Sequence, residues 1–146
     1  MTTLTKVDGV IAGRGLPVVD ADNAPFFEAA ARGELVIQRC KETSQYQHYP
    51  RAGSVYTMGD VEWVKVPGRG KIYSFTIVRK NPADPVFAPL CPYAIVMVEL
   101  PEGVKIFGNL TGCEAEDVKI GMAVEVYFAA ADTEGKIHLP FWRPAA

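Results

Sequence analysis

The sequence predicts a mainly-β protein: one short helix, an irregular polar stretch, and then a small closed barrel of short strands. Three observations carry that prediction. From Val61 onward, apolar and polar residues alternate in about half a dozen short runs. Glycine or proline stands at the breaks between those runs. The one stretch with helical spacing lies ahead of Gly33.

Residues 1–19 mix Thr, Gly and Val without a period and read as an extended arm. A helix of about ten residues follows. Asp22 or Asn23 is placed to cap it, Pro25 suits its first turn, Phe26, Phe27 and Ala30 share a face, and Gly33 stops it. A helix that short is not stable alone, so its phenylalanines must pack on the domain or on a partner. Leu35–Cys40 reads as a strand. Residues 41–60 are polar and irregular, a length of unstructured chain that calls for a function or a staple. Val61–Val66 alternates, Gly68 and Gly70 break the run, and Lys71–Arg79 alternates again. Residues 80–92 form a proline-rich loop. Tyr93–Leu100 and Val104–Leu110 make a hairpin about the Pro101-Glu102-Gly103 turn. Met122–Ala130 and Lys136–Trp142 complete the barrel.

Composition narrows the function. At 146 residues, with 49% hydrophobic and 22% charged residues, the chain suits one globular domain, with room for a small appendage. Its net charge of −2 argues against a protein that lives by neutralising phosphates, so nucleic acid is not the expected partner. Met1–Gly15 carries no signal-peptide pattern, and the longest apolar run, Tyr93–Val98, is too short to span a bilayer. Cys40, Cys91 and Cys113 lie far apart and are odd in number, which suggests free thiols and a reducing cytoplasm. Asn109-Leu110-Thr111 matches a glycosylation sequon but reads as a strand end entering a loop.

A family resemblance then emerges from the ordered fragments. The helix contributes Pro25-Phe26-Phe27 and Gly33-Glu34-Leu35, and the middle contributes Gln38-Arg39-Cys40, Tyr49-Pro50-Arg51 and Glu62-Trp63. Gly68-Arg69-Gly70, Tyr73-Ser74-Phe75-Thr76, Pro92-Tyr93, Val98-Glu99-Leu100 and Glu102-Gly103 follow. Gly108-Asn109-Leu110, Ile120-Gly121-Met122, Val124, Phe141 and Arg143-Pro144 close the series. No fragment is specific by itself; their order and spacing are. From about residue 21 to the C-terminus the chain resembles the acyl-CoA-associated zinc-ribbon and OB-fold proteins, domain of unknown function thirty-five. The resemblance implies an arm and helix over 1–34, a rubredoxin-like ribbon over 35–64 and an OB-fold over 65–146. It also implies a non-catalytic scaffold that helps a thiolase-fold enzyme hold acyl-CoA. The partner would be a thiolase, a hydroxymethylglutaryl-CoA synthase, a lipid-transfer-protein-like aldolase or an acyl-CoA hydratase.

The sequence departs from that pattern at the metal. A structural zinc takes four soft ligands, with thiolates about 2.3 Å away, delivered as two close pairs. The resemblance puts the first pair at Cys40 and position 43, which is Thr43. The second should fall between Ser54 and Met58, where there is no cysteine, and His48 is the one other soft ligand nearby. The ribbon is therefore degenerate and zinc is expected to be lost, removing on the order of 10 kcal/mol of binding energy. Tyr46, Tyr49, Tyr56 and Trp63 are the expected substitutes, with Arg51 in the same segment.

No catalytic constellation is expected. His48 and His138 read as loop and barrel histidines, and no histidine neighbours a cysteine in sequence. Gly68-Arg69-Gly70 opens a strand, not a helix, so it reads as a bend and not a phosphate cradle. The expected acyl-CoA and partner surface is Arg69, Lys71, Arg79 and Lys80 with Phe87, Leu90 and Tyr93 of the proline loop, and Phe26 and Phe27 are expected to face the partner. The competing class is a single-stranded nucleic-acid binder that stacks bases on Tyr73, Phe75, Phe107 and Tyr127.

Overall fold

The computed structural model describes all residues, 1–146. Its helix, α1, runs Ala24–Ala31. Asn23 stands at the N-cap position, but its side chain does not cap. Instead Asn23 Oδ1 accepts the amide of Asp20, and Asp20 Oδ1 accepts those of Asp22 and Asn23. These acceptors are used up in the turn leading into the helix, which is why the expected cap does not form. The C-terminus follows expectation. Gly33 adopts φ 76°, and the amides of Gly33 and Glu34 donate to the carbonyls of Ala30 and Ala29. That is the double bond of a Schellman stop, which needs a left-handed residue there.

A three-stranded antiparallel sheet comes next, ordered β2-β1-β3, with β1 Leu35–Cys40, β2 Tyr46–Gln47 and β3 Val61–Val66. β3 carries this sheet to Val66, past the boundary expected at 64. The remaining strands are β4 Arg69–Val78, β5 Tyr93–Glu99, β6 Lys105–Leu110, β7 Ala123–Ala130 and β8 His138–Pro144. They close into a barrel ordered β4-β5-β6-β8-β7, the five-stranded barrel of an OB-fold. The closure is uneven. β7 and β8 pair along their whole length, whereas β6 and β8 meet at one residue pair, Leu110 with Trp142.

α1 lies across that weak seam, packing on β1 on one side and on β7 and β8 on the other. One continuous core results, joining Phe26 of the helix and Leu35 and Ile37 of β1 to Ile72, Val96, Val98, Ile106 and Trp142 of the barrel. Phe26, expected to face a partner, is thus inside the chain's own core, and Phe27 is half-buried beside it. The arm is also committed. Leu4 and Val7 are buried, Thr3 bridges Glu114, and the Thr5 amide donates to the carbonyl of Pro92. It wraps this chain's own barrel. No helix is long and apolar enough to cross a membrane.

Candidate functional site

Where β6 and β8 diverge, the seam opens into a cleft of about 460 Å³. Ile106 and Phe107 form one wall, Leu139 and Pro140 the other; Phe26 and Phe27 come from α1, His48, Tyr49 and Pro50 from the ribbon, and Arg14 from the arm. A volume of this size lies in the range of roughly 300–1,000 Å³ typical of small-molecule sites. Two polar groups are buried in it without partners: Nε and Nη1 of Arg14 and Nδ1 of His48. The Arg14 guanidinium sits 5.6 Å from the Phe87 ring centroid, and burial pulls its pKa below the usual value. Burial also drives His48 down to about 4, so it is neutral at physiological pH. His48 is therefore not the surface-loop histidine expected; its ring packs 5.5 Å from Phe26 and 4.3 Å from Tyr49. Arg14 is half-buried, with two of its three guanidinium nitrogens enclosed without partners, and an anion beside it would relieve that charge. The cleft suits a ligand with an apolar body and an anionic group.

The predicted acyl-CoA surface does not come together as one patch. Arg69 and Lys71 begin β4, while Arg79 and Lys80 follow its far end, up to about 30 Å away along an extended strand. Arg69 is engaged by Glu125 at 3.2 Å, and the same carboxylate takes Arg143 at 3.1 Å. Tyr93 is buried, and Phe87 and Leu90 pack against it with Val7 and Phe141 in a second small core. These anchors stiffen the proline loop from within and are not free for a partner. Arg79 and Lys80 remain exposed at the base of that loop, on which Arg14 also rests.

In the ribbon, Cys40 is fully buried. The hydroxyls of Ser54 and Thr43, and then of Thr57, hold its thiol down to about 6 against the opposing effect of burial. Thr57 Oγ1 lies 3.6 Å from the Cys40 sulfur and 3.2 Å from Glu42 Oε1, so it stands between the two groups. The donor set of one thiol and three hydroxyls does not fit a structural zinc. Aromatic packing takes its place only in part, with Tyr46 and Trp63 packed against the core. Tyr49 and Tyr56 are 49% and 47% exposed, too open to supply a core. Trp63 is half-buried on β3, and Tyr46 lies under the Arg39 guanidinium. The rest of the staple is polar. Gln47 Nε2 donates to Gln38 Oε1 and to the Gly53 carbonyl, and Gln47 Oε1 accepts the Val55 amide. Gln38 holds Arg51 in turn, through the backbone amide and carbonyl of that residue. Buried glutamines do this because a saturated amide pair fixes several loop carbonyls at once.

The stacking aromatics divide. Tyr73 and Phe107 are open, but Phe75 packs on the core. Tyr127 donates to Asp8 and accepts from Thr111, and burial pushes it up to about 12. That trio pins the arm and offers no stacking platform. Cys113 is raised by burial and by Asp117 and Glu114, the reverse of an activated nucleophile. Sequence reasoning missed Arg14, which has no local periodicity to flag it. It placed the second ligand pair between Ser54 and Met58 but did not single out Ser54 and Thr57, whose spacing repeats that of Cys40 and Thr43.

Comparison with known proteins matches this architecture. Residues 27–53 match the model of the ChsH2 rubredoxin-like zinc ribbon domain and 63–129 that of the ChsH2 C-terminal OB-fold domain. The chain is 38% identical, over 90% of its length, to the "Probable enoyl-CoA hydratase alpha subunit" of Thermomonospora curvata, and covers 40% of that protein. It is 40% identical over 52% of its length to a DUF35 domain-containing scaffold protein of Methanocaldococcus jannaschii, covering 52% of it. The chain thus spans about half or less of the length of these curated relatives. Among solved structures it superimposes on the Ltp2-ChsH2(DUF35) aldolase with a TM-score of 0.78 and 35% identity, covering 90% of this chain and all of that one. With the helix, the ribbon sheet and the five-stranded barrel in the same order, this chain belongs to the DUF35 family of rubredoxin-like ribbon and OB-fold proteins.

Proposed function

We propose that the chain is a non-catalytic accessory subunit of a thiolase-fold enzyme, such as a lipid-transfer-protein-like aldolase, and that it helps its partner hold an acyl-CoA. The observation that supports this most is the full-length likeness to the DUF35 chain of the Ltp2-ChsH2(DUF35) aldolase. The seam cleft and the loop beside it supply the ligand chemistry. Arg14 offers an unpaired guanidinium above an apolar wall, and Arg79 and Lys80 add exposed positive charge at the base of the proline loop. A thioester of coenzyme A combines an apolar chain with a strongly anionic nucleotide, which is what this pairing of wall and cations suits. The nucleophile or base of the reaction belongs to the partner.

Titrating acyl-CoA into the co-purified assembly tests the ligand part. Arg14→Ala, and separately Arg79→Glu with Lys80→Glu, should each weaken binding about tenfold, about 1.4 kcal/mol, with the assembly intact. Arg69→Ala with Lys71→Ala, at the other end of β4, should leave it unchanged. If only that last pair weakens binding, the ligand lies at the opposite end of the barrel. If no variant does, the chain serves its partner without touching acyl-CoA.

A further inference from the structure

Two segments of the ribbon repeat one another atom for atom in their backbone bonding. In residues 40–45 the Cys40 amide donates to the Gln45 carbonyl at 2.8 Å, the Ser44 amide donates to the Cys40 carbonyl at 2.8 Å, and Ser44 has φ 62°. In residues 54–59 the Ser54 amide donates to the Gly59 carbonyl at 2.9 Å, the Met58 amide donates to the Ser54 carbonyl at 2.9 Å, and Met58 has φ 65°. Neither Ser44 nor Met58 is a residue that chooses a left-handed conformation by itself. The side chains follow the same rule. Thr43 Oγ1 accepts the Gln45 amide at 3.3 Å, and Thr57 Oγ1 accepts the Gly59 amide at 3.1 Å. Ser54 Oγ additionally accepts the amides of Tyr56 and Thr57 at 3.0 and 3.2 Å.

Backbone amides converging on the first and fourth side chains of a short turn are the arrangement that stabilises negative charge, as a metal-bound thiolate requires. Here those positions hold Cys40, Thr43, Ser54 and Thr57. The two turns face each other, with Cys40 Sγ 3.6 Å from Thr57 Oγ1.

We propose that the ribbon is a metal-free clasp, in which Cys40, Thr43, Ser54 and Thr57 occupy the four ligand positions of a two-turn zinc site and a thiol–hydroxyl network replaces the ion. Serine and threonine suit the exchange because their hydroxyls accept the same amides while bringing no charge that needs a cation. The turns keep their shape because their bonds are to backbone and hydroxyl, with the Gln38–Gln47 pair tying them to β1 and β2. The chain therefore folds independently of zinc supply. This inference does not depend on the partner or on acyl-CoA.

The test compares the full wild-type chain with the triple variant Thr43→Cys, Ser54→Cys, Thr57→Cys, each refolded with excess Zn(II) and, separately, Co(II). The wild type should hold no stoichiometric ion by elemental analysis, and its melting temperature should not respond to a strong chelator. The triple variant should bind one ion per chain. With Co(II) it should show the visible and thiolate charge-transfer absorption of a tetrahedral four-thiolate centre, and a chelator should lower its melting temperature. A wild type that carries an ion, or that melts earlier with chelator, overturns the proposal. So does a triple variant that takes up no ion, whether or not it folds in the presence of zinc. Thr57→Val in the zinc-free chain should melt earlier than wild type, with Thr57→Ser restoring most of the loss; equal melting of all three chains counts against the hydroxyl's role.

Discussion

His48 shows how a single side chain couples the ribbon to α1. It is held neutral against Phe26 and Tyr49, with a pKa of about 4 caused by burial. In the unfolded chain an ordinary histidine protonates near pH 6.5. Between these values the unfolded state binds the extra proton, so stability falls as pH drops from about 6.5 toward 4, by at most about 3 kcal/mol. His48→Phe should remove this slope. In urea melts, the variant's stability relative to wild type should therefore rise between pH 7 and pH 4.5, and a constant difference across that window would refute the assignment. Sequence alone showed a histidine in a polar segment. Its burial arises from α1 folding back over the segment, a long-range contact that no local pattern encodes. The same holds for Arg14, whose aperiodic arm becomes ordered only by lying along the barrel.

At the scale of elements, the strands were legible as short apolar-rich runs bounded by turn residues, and Leu35–Cys40 and Val61–Val66 fall where those runs put them, although β1 is buried at five of its six positions and not on one face alone. The barrel's weak seam was not, since register between β6 and β8 depends on Gly108. A β-carbon there would stand 2.8 Å from Cδ1 of Trp142, which is fully buried and has nowhere to move. Gly108→Ala should therefore cost about 1–3 kcal/mol in chemical denaturation and distort the wall of the cleft beside it; an unchanged midpoint would show that β6 can shift away. The ribbon illustrates the opposite case. Its missing cysteines were legible, but the replacement was sought among aromatics alone, whereas to the packing of Tyr46 and Trp63 the structure adds buried glutamines and hydroxyls. Their partners are loop carbonyls and amides, which composition does not reveal.

For the whole molecule, several of the hydrophobic anchors expected to face a partner are taken into the chain's own core. Leu4 and Val7 of the arm, Phe26 of α1 and the anchors of the proline loop turn inward, Val10, Leu16, Val18 and Val19 of the arm stay exposed, and the open aromatics are Tyr49, Tyr56, Tyr73 and Phe107. Tyr49 and Phe107 adjoin each other at the mouth of the cleft, where the Phe107 amide donates to the Tyr49 hydroxyl at 3.4 Å. A partner seated over that mouth would cover both rings and enclose Arg14, uniting the scaffold and ligand roles at one place. The measurement that tests the central claim most directly is isolation of the intact chain from its native cells, with identification and stoichiometry of what is bound and an activity assay on each fraction. The account predicts a thiolase-fold subunit in fixed ratio, with acyl-CoA turnover in that complex and none in the isolated chain. A chain recovered without such a partner, or one that turns over substrate by itself, would contradict it.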